Sequence, residues 1–173
     1  MGKPLRVLMV EDSEDDVLLT IHALKKEGYE PTCERVEDVE AMRKALRKKS
    51  WDVVICDYRM PKFSGPAAIA LLKETDIDIP LIIVSGAIGE ETAVECMRSG
   101  AHDYIMKGNL SRLVPAIERE LKEAESRIQR KEAEEALREN EERFRKIFEE
   151  APLVGIVITS PSFAFEKANP SFC

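Results

Sequence analysis

Residues with carboxylate, hydroxyl or ammonium side chains stand directly after short aliphatic segments of the sequence. Glu11 and Asp12 follow one such segment, Asp57 and Ser85 each follow another, and Lys107 follows a weaker one. Carboxylates that lie close together raise each other's pKa, and a hard cation such as Mg²⁺ relieves this by taking their oxygens as ligands. With Mg²⁺ bound, the Asp57 carboxylate could attack a phosphoryl group, while Ser85 and Lys107 bind the other phosphoryl oxygens. The residue types therefore favour phosphoryl transfer to an aspartate.

The aliphatic segments that precede these residues predict buried strands. Val7–Val10, Val53–Cys56 and Leu81–Val84 each contain four apolar residues without alternation. Continuous apolar runs of this length are typical of strands that are covered on both faces, as in a parallel sheet. Weaker strands are predicted at Thr32–Val36 and Asp103–Met106.

Amphipathic, charged stretches lie between the strands and predict helices. The first has apolar residues at Val17, Ile21 and Leu24 and ends at Gly28, and a later one ends at Gly100. Five strand–helix units predict an α/β fold with a doubly wound parallel sheet. Ligands of such sheets bind beyond the carboxyl ends of the strands, so the polar residues described above are expected to share one rim.

Composition narrows the class of protein. The chain has 173 residues, of which 44% are hydrophobic and 34% charged, so it can form a packed core. A net charge of −7 argues against binding to nucleic acid. No apolar run is long enough to span a membrane, and the four cysteines are too scattered for a zinc site or a disulfide framework. We therefore expect a cytoplasmic protein that binds neither nucleic acid nor membrane.

Several motifs at the predicted strand ends resemble those of one family. They are VEDS at residues 10–13, CDYRMP at 56–61 with Gly65, VSG at 84–86, and AHDYIMK at 101–107. With these motifs, residues 1–120 resemble the receiver domains of two-component response regulators. The resemblance implies a flavodoxin-like sheet of five parallel strands in the order 2-1-3-4-5.

The resemblance also implies roles for individual residues. Asp57 would be the phosphoacceptor, and Mg²⁺ would be the cofactor. The implied metal ligands all surround the phosphoacceptor: Glu11, Asp12, Asp57 and the main-chain carbonyl of Arg59. Ser85 and Tyr104 would form the switch pair, in which the aromatic ring turns inward after the hydroxyl, and Lys107 would bind the phosphoryl group.

Two positions depart from the family pattern. Glu11 stands where many receivers have aspartate, so its longer side chain could shift the cation. Gly108 stands where many receivers have a cis-proline after the lysine. A cis bond that does not precede proline costs about 2.5–4 kcal/mol, so we predict a trans Lys107–Gly108 bond and a less firmly placed Lys107.

The chain changes character after the receiver-like region. Between Glu118 and Glu150, 21 of 33 residues are charged and none is glycine. Ser111 is predicted to cap a helix of about 40 residues, of which only the first three or four turns belong to the receiver. Residues 121–150 are expected to form a coiled-coil linker in a parallel homodimer, and a single solvated helix is the alternative. The predicted apolar seam follows a spacing of three and four residues, with one five-residue step: Val114, Ile117, Leu121, Ala124, Ile128, Ala133, Leu137, Asn140, Phe144 and Ile147.

Residues 151–173 become aliphatic again. Gly155–Thr159 and Phe163–Lys167 predict two strands, residues 160–162 a turn, and residues 169–171 the start of a helix. With the preceding residues 141–152, this stretch resembles the amino-terminal piece of a PAS sensory domain. About 25 residues cannot form a PAS core alone.

These observations predict a phosphoacceptor receiver domain of a multidomain signalling protein. It would receive its phosphoryl group from a histidine kinase or a phosphotransfer protein and signal through a dimeric helix to a PAS and output region. Two alternatives remain: a receiver-like adaptor that dimerises without phosphorylation, and the receiver part of a hybrid sensor histidine kinase. Whether the parent protein is an enzyme, such as a histidine kinase or a cyclic-dinucleotide enzyme, stays open.

Overall fold

Two compact units make up the protein. The first extends to Glu125 and the second begins at Ser126. The computed structural model describes five stretches of the chain, namely residues 2–75, 77–86, 89–150, 157–159 and 165–168.

Strands and helices alternate along the first unit. In chain order they are β1 Lys3–Val10, α1 Glu14–Lys26, β2 Tyr29–Val36, α2 Val39–Lys48, β3 Val53–Asp57, α3 Gly65–Glu74, β4 Leu81–Ser85, α4 Glu90–Ser99 and β5 Asp103–Met106. A 3₁₀ segment, Lys107–Arg112, then leads into α5, Leu113–Glu150.

The five strands form one parallel sheet. Their order is β2-β1-β3-β4-β5, which confirms the predicted doubly wound, flavodoxin-like topology and its long carboxyl-terminal helix. Strand β2 begins at Tyr29, three residues before the predicted start at Thr32. Pro31 obscured this start in the sequence, but β2 is an edge strand, where a residue without an N–H is tolerated.

Alternate residues of the central strands belong to two hydrophobic cores. Leu8, Val54 and Ile83 are fully buried in the core that also contains residues of α2, α3 and α4. Val7 and Ile82 are fully buried in the other core, to which α1 and the first turns of α5 contribute. Because successive side chains of a strand point to opposite faces, an unbroken apolar strand fills both cores.

Local signals in the sequence set the ends of the helices. The side chains of Ser13, Asp38 and Ser64 each accept a hydrogen bond from a backbone N–H in the first turn of α1, α2 and α3, respectively. Gly28 and Gly100 follow α1 and α4 with φ of 85° and 107°, a conformation that favours glycine. The predicted role of both glycines is therefore confirmed.

Helix α5 starts later than the sequence predicts. Ser111 lies inside the 3₁₀ segment, where its hydroxyl donates to Asn109 Oδ1 at 2.7 Å, so the prediction that it caps α5 is wrong. The backbone of Asn109 inside this segment is non-helical, with φ −136° and ψ 52°, so the segment is kinked there. From Leu113, α5 runs for 38 residues without a break at the five-residue step. Among the described helices, none combines the length and apolar character needed to cross a membrane.

The second unit contains a two-stranded antiparallel sheet. Strands β6, Val157–Thr159, and β7, Phe165–Ala168, pair with Val157 opposite Ala168. They overlap the two strands predicted for this region. The predicted turn at residues 160–162 and the predicted helix start at 169–171 lie outside the described residues.

Candidate functional site

The predicted site residues lie at the carboxyl edge of the sheet. Glu11 follows β1, Asp57 and Ser85 are the last residues of β3 and β4, and Lys107 follows β5. Since β1, β3, β4 and β5 are adjacent and parallel, their carboxyl ends place these side chains on one rim.

The Lys107 ammonium is the centre of the charged groups on this rim. Its Nζ donates to Glu11 Oε2 at 2.9 Å, to Asp16 Oδ2 at 2.5 Å and to Asp57 Oδ2 at 2.9 Å. Partial burial disfavours the charged form of Lys107, but the hydrogen bonds to Asp16, Asp57 and Glu11 outweigh it. The pKa of Lys107 is therefore raised, and the side chain is positively charged at neutral pH.

Glu11 is the most buried carboxylate of the site. Burial raises its pKa, and repulsion from Asp57 raises it further. Hydrogen bonds from Lys107 and from the backbone N–H of Ser13, which donates to Glu11 Oε1 at 3.1 Å, act in the opposite direction. Burial therefore disfavours the ionised form of Glu11, and the Lys107 ammonium and the Ser13 N–H favour it.

Three carboxylates could hold a cation. Oxygen atoms of Glu11, Asp12 and Asp57 lie within 4.8 Å of one another. Asp12 is exposed, whereas Glu11 is buried and Asp57 nearly so, with a side chain that is 11% exposed. An all-oxygen, negatively charged donor set with one open side fits Mg²⁺, which takes a few carboxylates and keeps several waters.

Arg59 lies in the turn that follows Asp57. Its backbone N–H donates to Asp57 Oδ1 at 3.3 Å, and the residue forms an isolated bridge with Ser64. The Asp57 carboxylate is therefore held by Arg59 on one oxygen and by Lys107 on the other. The role of the Arg59 main-chain carbonyl as a metal ligand stays a prediction.

Ser85 and Tyr104 occupy neighbouring strands. The Ser85 side chain is buried, and Tyr104 is half-buried against the core on the α3 and α4 side. Burial raises the pKa of the Tyr104 phenol, and a hydrogen bond with Ser85 lowers it. The Tyr104 hydroxyl also donates to Met106 Sδ at 3.3 Å. The two residues of the predicted switch pair therefore lie on the adjacent strands β4 and β5.

Comparison with models of protein families identifies the family of this chain. The model for the response regulator receiver domain matches residues 7–118, which include every residue of the rim and the complete sheet apart from the first residues of β1. The chain belongs to the response regulator receiver family.

Curated relatives match the receiver domain and extend beyond it. RprY of Bacteroides fragilis, a transcriptional regulatory protein, is 33% identical over 107 residues, which are 62% of this chain and 44% of the relative. ZraR of Klebsiella oxytoca, also a transcriptional regulatory protein, is 30% identical over 61% of this chain and 24% of its own length. The chain therefore spans less than half the length of these relatives.

Solved structures share the receiver fold. A crystal structure of NtrX from Brucella abortus is 25% identical, with a TM-score of 0.66, over 76% of this chain and 30% of that chain. Full-length FixJ from B. japonicum is 26% identical, with a TM-score of 0.64, over 75% of this chain and 63% of that chain.

Asp16 is a residue of the receiver site that the sequence did not single out. It stands in the first turn of α1 next to Glu14 and Asp15. Acidic residues are common in a first turn because they interact favourably with the helix dipole, so three of them do not by themselves indicate a functional site. Helical spacing was the signal that could have identified Asp16. It stands four residues before Thr20 and eight before Leu24, and because both of these are buried, Asp16 lies on the inner face of α1.

The loop after β5 confirms one prediction and corrects another. The Lys107–Gly108 peptide is trans, as predicted. The expectation that Lys107 would be less firmly placed is wrong, because three carboxylates bind its ammonium and leave the side chain only 21% exposed. The third carboxylate, Asp16, is what the prediction lacked.

Proposed function

We propose that this receiver domain accepts a phosphoryl group on Asp57. The observation that carries the proposal is the Asp57 carboxylate itself, which lies 2.9 Å from the Lys107 ammonium and within 4.8 Å of two further carboxylates. The rim therefore has a nucleophile, Asp57, next to a positively charged ammonium and next to carboxylates that could bind a cation. We further propose that the donor is a histidine kinase or a phosphotransfer protein.

The transfer replaces one bond to phosphorus by another. An oxygen of the ionised Asp57 carboxylate forms a bond to the phosphorus of the donor's phosphohistidine. The phosphorus–nitrogen bond breaks, and the imidazole leaves with its electron pair and takes up a proton. Lys107 donates to a phosphoryl oxygen and stabilises its negative charge during transfer. Water later attacks the phosphorus of the acyl phosphate, the bond from phosphorus to the Asp57 oxygen breaks, and inorganic phosphate leaves the restored Asp57 carboxylate.

Glu11, Asp12, Asp57 and the main-chain carbonyl of Arg59 are the proposed ligands of Mg²⁺. When bound, the cation supplies neutralisation of the negative charge on the transferring phosphoryl group. The donor set supports this assignment because all its side-chain atoms are carboxylate oxygens.

Ser85 and Tyr104 are the proposed switch pair. The Ser85 hydroxyl would turn toward a phosphoryl group on Asp57, and the Tyr104 ring would follow it inward. Their positions on the adjacent strands β4 and β5 support the pairing, because a movement of the Ser85 side chain would change the space beside β5.

Intact-mass spectrometry tests the proposed reaction. Incubation with a small-molecule phosphodonor and Mg²⁺ is expected to add one phosphoryl group that base removes. Asp57→Asn, which keeps the shape of the side chain, and chelation of Mg²⁺ are each expected to abolish the adduct. An equal adduct on the variant would contradict the assignment of Asp57.

We also propose that α5 transmits the signal through a parallel homodimer toward a PAS and output region. Four large apolar side chains in the later part of α5 support a second copy of the chain as the partner. Ile128, Leu137, Phe144 and Ile147 are 47%, 60%, 47% and 59% exposed. Leu137 and Phe144 are seven residues apart and Ile147 follows three later, which is the heptad spacing of a coiled-coil seam.

Disrupting this seam is expected to separate the dimer. Leu137→Glu places a charge at the proposed contact, so the chain is expected to sediment as a monomer where the wild type sediments as a dimer. Ala136→Glu is the matched control, because it adds the same charge about 100° around the helix. A wild-type monomer, or equal dissociation of both variants, would favour the single solvated helix.

A further inference from the structure

Asp16 contacts Lys107 from a different element than the other two carboxylates do. It lies on α1, its Oδ2 atom is 2.5 Å from Lys107 Nζ, and its side chain is 31% exposed. We propose that Asp16 is a positioning residue, which holds the Lys107 ammonium beside Asp57 during phosphoryl transfer. The inference rests on the proposed function and adds to it a residue that acts through Lys107.

The donors and acceptors of the site distinguish Asp16 from its neighbours. A lysine ammonium has three N–H donors, and Glu11, Asp16 and Asp57 each take one of them. Glu11 and Asp57 also belong to the carboxylate cluster that could hold a cation, and Asp57 is the proposed phosphoacceptor. Asp16 is therefore the carboxylate that can keep its hydrogen bond to Lys107 when Glu11 and Asp57 bind a cation or a phosphoryl group.

The start of α1 fixes the position of Asp16. Its backbone N–H donates to Ser13 Oγ at 3.3 Å, and the Ser13 N–H donates to Glu11 Oε1 at 3.1 Å. Glu11 Oε2 in turn accepts from Lys107, so the hydrogen bonds form a closed ring through Ser13, Asp16, Lys107 and Glu11. A carboxylate in a capped helical turn loses little freedom when it binds a cation, so it can hold the ammonium in one place.

Asp16 also compensates for the loop that carries Lys107. Gly108 adds no side chain to brace this loop, and space around its Cα is open, since a Cβ placed there would meet nothing within 4 Å. No side chain at position 108 therefore braces the backbone next to Lys107. The contact with Asp16 restrains the end of the Lys107 side chain instead.

Phosphorylation rates of matched variants test the inference. Asp16→Asn keeps the size of the side chain but removes its charge, and it is expected to slow phosphorylation of Asp57 by a small-molecule phosphodonor about tenfold. Asp16→Glu, which restores a carboxylate, is expected to recover part of the loss. Asp15→Asn changes the net charge equally at an exposed neighbouring position and is expected to leave the rate unchanged.

A double-mutant cycle shows whether Asp16 acts through Lys107. In a Lys107→Ala background, Asp16→Asn is expected to have no further effect on the rate. An unchanged rate for Asp16→Asn alone, an equal loss for Asp15→Asn, or a further tenfold loss in the Lys107→Ala background would each overturn the inference. These results leave the proposed function standing, whereas a wild-type chain that takes up no phosphoryl group overturns both.

Discussion

Replacing Lys107 by alanine is expected to slow phosphorylation of Asp57 by about 100-fold, the usual cost of removing one donor to a developing negative charge. Lys107 is the positive side chain within hydrogen-bond distance of Asp57 among the described residues, at 2.9 Å. Without it, the attacking carboxylate keeps its position, because Arg59 still donates to its other oxygen. The loss should therefore fall on the transfer step rather than on the fold.

A time course of intact mass, with phosphodonor and Mg²⁺ in excess, gives this rate. Lys62→Ala is the control, because Lys62 is an exposed lysine in the turn after β3 and its removal changes the net charge equally. A Lys107→Ala rate equal to that of the wild type would contradict the role assigned to Lys107. Equal slowing of both would point instead to long-range attraction of the anionic donor.

Shortening Ile117 is expected to lower the free energy of unfolding of the receiver domain by about 3 kcal/mol, as is usual for a fully buried isoleucine replaced by alanine. Ile117 on α5 is completely buried in the core that also contains residues of α1. Leu137→Ala, at a 60% exposed position of the same helix, is expected to change this free energy by less than about 0.5 kcal/mol when both variants are measured at a concentration at which the chain is monomeric. The comparison of the two variants therefore shows which part of the predicted seam stabilises the receiver domain and which part does not.

Denaturation followed by tryptophan fluorescence measures this difference. Trp51 is the single tryptophan of the chain, is buried in the other core, and donates through Nε1 to Ala45 O at 3.0 Å. Its emission therefore reports unfolding of the receiver domain. A large loss for Leu137→Ala, or a negligible one for Ile117→Ala, would contradict this division of α5.

The sheet and its rim could be predicted because the signals are local. Strands β3 and β4 are uninterrupted apolar segments, and each ends at the polar residue that the site uses, Asp57 and Ser85. A parallel sheet then brings these ends together whatever the details of the loops. The strand order, in contrast, came from the resemblance to receiver domains.

The details that could not be predicted depend on contacts between distant parts of the chain. Asp16 and Lys107 are 91 residues apart, and nothing in either local sequence indicates that they bind each other. The start of α5 is similar, because Ser111 has the residue type of a helix cap but lies within the 3₁₀ segment.

The most direct test of the central claim is to locate the acyl phosphate chemically. Borohydride reduces an aspartyl phosphate to homoserine, with release of phosphate, and peptide mass spectrometry then identifies the residue. After treatment of the wild-type chain with phosphodonor and Mg²⁺, homoserine is expected at residue 57, and its yield should match the fraction of phosphorylated protein. Homoserine at another position, or an unreduced Asp57 in a chain that carries a base-labile phosphoryl group, would contradict the assignment of Asp57 as the phosphoacceptor.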